Sequence, residues 1–113
     1  IDFDYKARLV RWEYIDAKPL KLWIVDAKPN AIKKMIISLI KQSKILDSIG
    51  LDHGQLAGDG TNILIKPNAE PVIVDFEKAS TNRKCHNFLV LKNYLFRGDT
   101  ELSKKTKVYE KYI

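Results

Sequence analysis

The stretch that decides the fold reads His53-Gly54-Gln55-Leu56, then Asn62-Ile63-Leu64-Ile65, then Val72-Ile73-Val74-Asp75-Phe76. A polar loop containing Gly54, Gly58 and Gly60 gives way to one short apolar run, and Lys66-Pro67-Asn68-Ala69-Glu70 separates that run from a second. Pro and Asn favour turns and the flanking runs are aliphatic and largely β-branched, so the pattern predicts loop, strand, turn, strand. Pairing the strands as a hairpin brings Asn62, where the first begins, beside Asp75, where the second ends. An amide and a carboxylate so placed can share a hard cation such as Mg²⁺, which prefers oxygen and needs only one or two protein ligands.

Upstream, residues 30–49 give the clearest helix. Pro29 precedes it, Gly50 stops it, and Ile32, Met35, Ile36, Leu39, Ile40, Leu46 and Ile49 recur at helical spacing. Lys33, Lys34, Lys41 and Lys44 fall on the other arc, as solvated lysines do. Residues 1–15 alternate and are rich in strand formers, and Asp16-Ala17-Lys18-Pro19 breaks them. Leu20–Val25 fits a short helix and a strand equally. Downstream, 77–84 is a polar, basic connector. Asn87–Phe96 is nearly continuous in apolar residues and is expected to be buried; Gly98 ends it. Thr100 caps a last helix with a thinner stripe of Leu102, Val108, Tyr109 and Tyr112.

Within the loop, a lone His53 is suited to hydrogen-bonding its own loop rather than to holding a metal. Gly54-Gln55 and Gly58-Asp59-Gly60 give the backbone freedom for a tight turn near a ligand. No phosphate-cradling glycine motif occurs, and Ser43, Ser48, Cys85 and His86 have no nucleophile elbow around them.

The loop and hairpin together resemble the catalytic core of the protein kinase-like superfamily, which carries a His-x-Asp-Leu loop, an Asn opening a short strand, and an Asp-Phe-Gly whose Asp holds metal. His53, Leu56, Asn62, Asp75 and Phe76 fall on those positions, and His-Gly-Gln-Leu with Asp-Phe-Glu-Lys-Ala-Ser is most similar to archaeal, RIO-like serine/threonine kinases. Two departures stand out. Gln55 occupies the place of the catalytic Asp, and six residues separate it from Asn62 where the pattern has four.

The resemblance implies an α+β fold, a protein kinase-like C-lobe that is mainly helical with a catalytic-loop β-hairpin. Residues 1–113 form one unit, with 1–19 a hinge-like strand and connector and 20–113 the C-lobe. A glycine-rich cover and a strand Lys are missing, so the N-lobe is an absent partner segment; the start at Ile1, without Met, fits a fragment or processed product. The implied activity of the full-length parent is ATP-dependent phosphoryl transfer to a Ser/Thr or small-molecule hydroxyl, with the fragment alone inactive. The cofactors would be ATP and Mg²⁺, the metal held by Asn62 and Asp75. Leu64 would floor the adenine pocket, Glu13 C=O and Ile15 N–H would read the adenine edge, and Asp59 could replace the carboxylate that Gln55 lacks. The alternative is a nucleotide-binding pseudokinase or interaction module, associated with RNA or the ribosome.

Composition bounds these readings. At 113 residues with 45% hydrophobic and 30% charged, the chain reads as one globular domain. No apolar run nears the roughly 20 residues of a membrane span and no signal pattern opens the chain, so no membrane partner is expected. A single Cys85 rules out an internal disulfide and fits a cytoplasmic location. The net charge of +6 is ordinary for a soluble domain, yet also suits a polyanion. Nucleic acid is the minor reading, because it calls for aromatics interleaved with basic residues on an exposed face, whereas most aromatics here sit in apolar patterns.

Overall fold

A computed structural model describes residues 17–57 and 62–113. Its elements are β1 (Lys18–Pro19), α1 (Leu20–Asp26), α2 (Pro29–Ser48), β2 (Ile63–Ile65), β3 (Pro71–Ile73), a 3-10 turn (Phe76–Lys78), α3 (Asn87–Phe96), α4 (Glu101–Thr106) and a C-terminal 3-10 helix (Lys107–Tyr112). This is an α+β domain in which one long helix lies between a small antiparallel sheet and the C-terminal helices.

α2 forms the centre for the reason its sequence gives. Ile32, Met35, Ile36, Leu39, Ile40 and Ser43 are all buried, a stripe repeating every three or four residues. Ser43 satisfies its hydroxyl on the Ile40 carbonyl at 2.7 Å, so a polar group costs little there. Pro29 opens the helix, where its missing N–H has no partner to lose. Gly50, at φ +81°, closes it: Gly50 N–H donates to Asp47 O (3.2 Å) and Leu51 N–H to Leu46 O (3.0 Å). That pair of bonds is a Schellman cap, which needs a left-handed residue that glycine supplies without strain. Ile49, expected on the apolar stripe, sits past the last turn and is 64% exposed.

The hairpin forms with Ile63 opposite Ile73, Leu64 opposite Val72 and Ile65 opposite Pro71. Its second strand runs one residue earlier than 72–74, although Val74 N–H still reaches Asn62 O at 2.9 Å. Ile63 and Ile65 are fully buried and Leu64 is half-buried on the opposite face, as period-two alternation requires. α2 clamps the hairpin's turn from the side: Gln42 donates to Pro71 O (2.9 Å), and Lys34 donates to Asn68 O (2.8 Å).

Lys18–Pro19 is not a break but an edge strand on β2. Pro is tolerated there because an edge strand has one row of amides without a ladder partner. Leu20–Val25 resolves as helix α1. The expected strand over residues 1–15 lies outside the described residues.

α3 has the expected bounds but is not buried all round. Leu91, Leu95 and Phe96 enter the core while Leu89 is 52% exposed. The last stripe is broken too. Thr100 caps α4 by accepting Ser103 N–H at 3.0 Å and Leu102 is buried, but Val108 is 58% exposed. From Lys107 the coil tightens to three residues per turn, which rotates later side chains off the α-helical stripe. Among the described residues no helix is long and apolar enough to cross a membrane.

The fully buried Leu39 should carry much of this core. Leu39→Ala should lower unfolding free energy by about 2–5 kcal/mol, whereas Ile37→Ala, on the solvent arc, should change it by less than about 1 kcal/mol. Urea denaturation of the two variants measures the contrast.

Candidate functional site

The loop after α2 is shaped by polar side chains that reach it from elsewhere. Asn87, the first residue of α3, is 1% exposed. Its Oδ1 accepts His53 N–H (2.9 Å), and its Nδ2 donates to Leu51 O (2.7 Å) and Asp47 Oδ1 (2.9 Å). Asp47, near the end of α2, also accepts the backbone amides of Asn87 (3.0 Å) and Phe88 (3.1 Å) and so caps α3. One amide side chain therefore joins two helices to the loop.

A second clamp works from below. Asp52 exchanges backbone hydrogen bonds with Ser80 at 2.9–3.0 Å, and its carboxylate takes Arg83 Nε at 2.6 Å and His86 N–H at 3.1 Å. Burial alone would raise the Asp52 pKa, but the Arg83 hydrogen bond, the His86 amide and the guanidinium charge together hold it below the usual carboxylate range. Arg83 also donates to Lys78 O. These groups crowd Gly54, whose φ is +93° and whose absent Cβ would lie 2.4 Å from Arg83 Nη2 and 3.0 Å from Lys78 O. Any other residue between His53 and Gln55 would be strained.

His53 is fully buried and acts as a tie. Nδ1 accepts Gln55 N–H at 3.1 Å, so Nε2 carries the hydrogen and donates to Val74 O at 2.8 Å. The ring also meets Phe76 edge to face, with centroids 4.7 Å apart. The imidazole thus fastens the loop to the end of β3, the structural duty expected of it.

Gln55, Asn62 and Asp75 line one cleft of 780 Å³, together with Gly54 and the side of α3. Asn62 is buried, and its Nδ2 donates to Gln55 O at 2.6 Å, which fixes the amide plane. Asp75 is exposed and takes the left-handed conformation, φ 65° and ψ 64°. Such a backbone costs a non-glycine residue on the order of 1 kcal/mol. Its carboxylate makes no hydrogen bond or ion pair among the described residues. Gln55 Oε1 is buried and also has no partner among them, an omission worth about 1–3 kcal/mol to whatever donor supplies it.

Leu64 does not line this cleft, and Glu13, Ile15 and Asp59 lie outside the described residues. Among the described residues no cluster of three or more His, Cys, Asp or Glu could hold a metal, so a cation here would rest on Asn62, Asp75 and a ligand's own oxygens. Burial and the Asp47 and Asp52 carboxylates push the Cys85 thiol pKa up. Sequence reasoning missed Asp47, Asp52, Arg83 and Asn87. Only Asn87, a polar residue opening an apolar helix, carried a signal.

No family model matches the chain. The chain is similar to uncharacterized protein MJ1211 of Methanocaldococcus jannaschii, at 30% identity over 76 residues that make up 67% of this chain. The matched part spans 64% of that protein's length, a little under two thirds.

The Asp52–Arg83 clamp should be visible in acid. A depressed folded pKa contributes stability that is present above the unfolded value of about 3.9 and is lost as pH falls through the folded value. The wild-type urea midpoint should therefore drop from about pH 4 downward. Arg83→Met should start lower at neutral pH and show a shallower acid dependence; parallel curves would remove Arg83 from the clamp.

Proposed function

We propose that this chain is the C-lobe-like part of a protein kinase-like phosphotransferase, most similar to the archaeal RIO-like serine/threonine kinases, that uses Mg²⁺ and ATP to phosphorylate a Ser/Thr or small-molecule hydroxyl. The observation that carries this reading is the convergence on one cleft, with Gln55, of Asn62 and a left-handed Asp75 that is unpaired among the described residues. A strained residue at a strand end, its carboxylate without a partner among the described residues, serves the fold poorly and a cation well. The oxygens of Asn62 and Asp75 are of the hard type that Mg²⁺ takes in small number alongside phosphates. When bound, the ion supplies charge neutralisation to the phosphates.

The chain's own residues do the rest by position. His53 holds the loop to Val74, and Asn62 holds the Gln55 carbonyl, so the loop and the hairpin keep one geometry. In this reading Leu64, half-exposed on the outer sheet face, floors the adenine pocket, with Glu13 and Ile15 at its edge. Gln55 cannot remove a proton near neutral pH, but its oxygen can accept a hydrogen bond from the acceptor hydroxyl and aim it. Phosphoryl transfer depends mostly on positioning and electrostatics, so the missing base need not abolish it. Asp59, in the same loop, is the other carboxylate near enough in sequence to serve.

The second reading is a nucleotide-binding module without transfer, and Gln55 at the place of the catalytic Asp favours it. Asp75→Ala separates cation binding from fold. In protein that contains this chain with its full flanking sequence, the variant should lose Mg²⁺-dependent ATP binding by at least about 100-fold in calorimetry, with an unchanged circular dichroism spectrum. Undiminished Mg²⁺–ATP affinity would remove Asp75 from the site. Tight binding without phosphoryl transfer by the wild type would select the second reading.

A further inference from the structure

α2, α3 and the C-terminal 3-10 helix share an outer surface whose charge is one-sided. α2 carries Lys33, Lys34, Lys41 and Lys44 against a single acid, Asp47, and both Asp47 oxygens are taken by Asn87 and Phe88. Lys92 is the only charged residue of α3. In the C-terminal helix Glu110 is paired with Arg97 at 2.8 Å. Lys34 and Lys107 donate to the carbonyls of Asn68 (2.8 Å) and Gly98 (3.2 Å). That leaves Lys33, Lys41, Lys44, Lys92 and Lys111 without a hydrogen bond or ion pair among the described residues.

Four of these five ammonium groups gather at two aromatic rings. Lys33 Nζ lies 4.1 Å and Lys111 Nζ 5.4 Å from the Tyr112 centroid. Lys44 Nζ lies 4.7 Å and Lys92 Nζ 5.9 Å from the Phe88 centroid. Lys33 and Lys44 are eleven residues apart, which puts them at nearly the same angle around α2 and about 16 Å apart along it. Lys41 projects from the same side between them. Two cations over each ring repel one another, and no carboxylate among the described residues pairs with them. α4, by contrast, mixes Glu101 with Lys104 and Lys105.

We infer that this face binds the backbone of a single-stranded nucleic acid, with phosphates drawn to the five lysines and a base stacking at Tyr112, which is 43% exposed, while Phe88 packs against the core beneath its lysine pair. Rings set among unpaired cations are what such a strand uses, because every base has a π-face and every linkage a charge. An acidic peptide would use the lysines but has no need of the rings. A membrane surface is the competing polyanion, since Ile37, Ile45, Leu89 and Val108 are 42%, 50%, 52% and 58% exposed, and vesicle binding is the outcome that would mark it. The inference stands apart from the phosphotransfer reading, since none of these five lysines lines the cleft.

The test is fluorescence anisotropy of a labelled, mixed-sequence 20-nucleotide RNA and its DNA counterpart, titrated with protein at about 50–300 mM salt. Log affinity should fall linearly with log salt for at least one strand type. The triple variant Lys33→Ala, Lys41→Ala, Lys44→Ala should flatten the slope by about 2, because each phosphate that a lysine neutralises on a single strand adds about 0.7 to it. The control Lys18→Ala, Lys66→Ala, Lys104→Ala should leave the slope unchanged, and Tyr112→Ala should weaken binding roughly 5- to 100-fold. Alanine is the best helix former, so the triple variant should fold. Equal flattening by the control, no binding of either strand, or equal or tighter binding of polyglutamate or phosphatidylglycerol vesicles would overturn the inference.

Discussion

The buried side chain of Asn87 is the contact on which the rest depends. A loop leaving a helix has amides and carbonyls to satisfy, and inside a protein each one left unpaired costs about 1–3 kcal/mol. Asn87 answers two of them at once, donating to Leu51 O and accepting from His53 N–H, while Asp47 holds Asn87 in place and caps its helix. The same amide therefore sets where α3 begins and how the loop leaves α2.

From that fixed point the cleft assembles in sequence. His53 passes the constraint to Val74, and Asn62 passes it from β2 back to Gln55. Gly54, at φ +93° and with the Lys78 carbonyl 3.0 Å from where a Cβ would lie, holds the loop in a conformation that would strain any other residue. Among the described residues the polar groups of the loop are thus largely committed to one another. Among the described residues the Asp75 carboxylate and the buried Gln55 side-chain oxygen are left over, and both residues line the cleft.

Much of the fold was legible because it is local. The α2 stripe, the Gly50 stop, the hairpin and the Thr100 cap each follow from periodicity or from one residue's backbone preference. What escaped is set by distance or by backbone geometry. The Asp47, Asp52 and Arg83 clamps join residues more than thirty positions apart, and nothing in a single sequence announces such partners. Ile49 and Val108 left the core because one helix ended and another tightened, changes of pitch that an apolar pattern does not record. Lys18–Pro19 joined a sheet because an edge strand forgives a missing amide. Gln55, Asn62 and Asp75, which line one cleft, were singled out because they stand in and beside the one stretch whose order resembles a family.

The central claim is that the loop and the hairpin make one site for a divalent cation with its nucleotide. Paramagnetic relaxation by Mn²⁺–ADP, read on amide resonances of isotopically labelled protein, tests it most directly, because broadening falls steeply with distance from the ion. The expected result is selective broadening at Gln55, Asn62 and Asp75, reversed by excess Mg²⁺, with Leu102 and Ser103 on α4 untouched. Broadening centred on any other group of residues, or none at these three at saturating Mn²⁺–ADP, would contradict it.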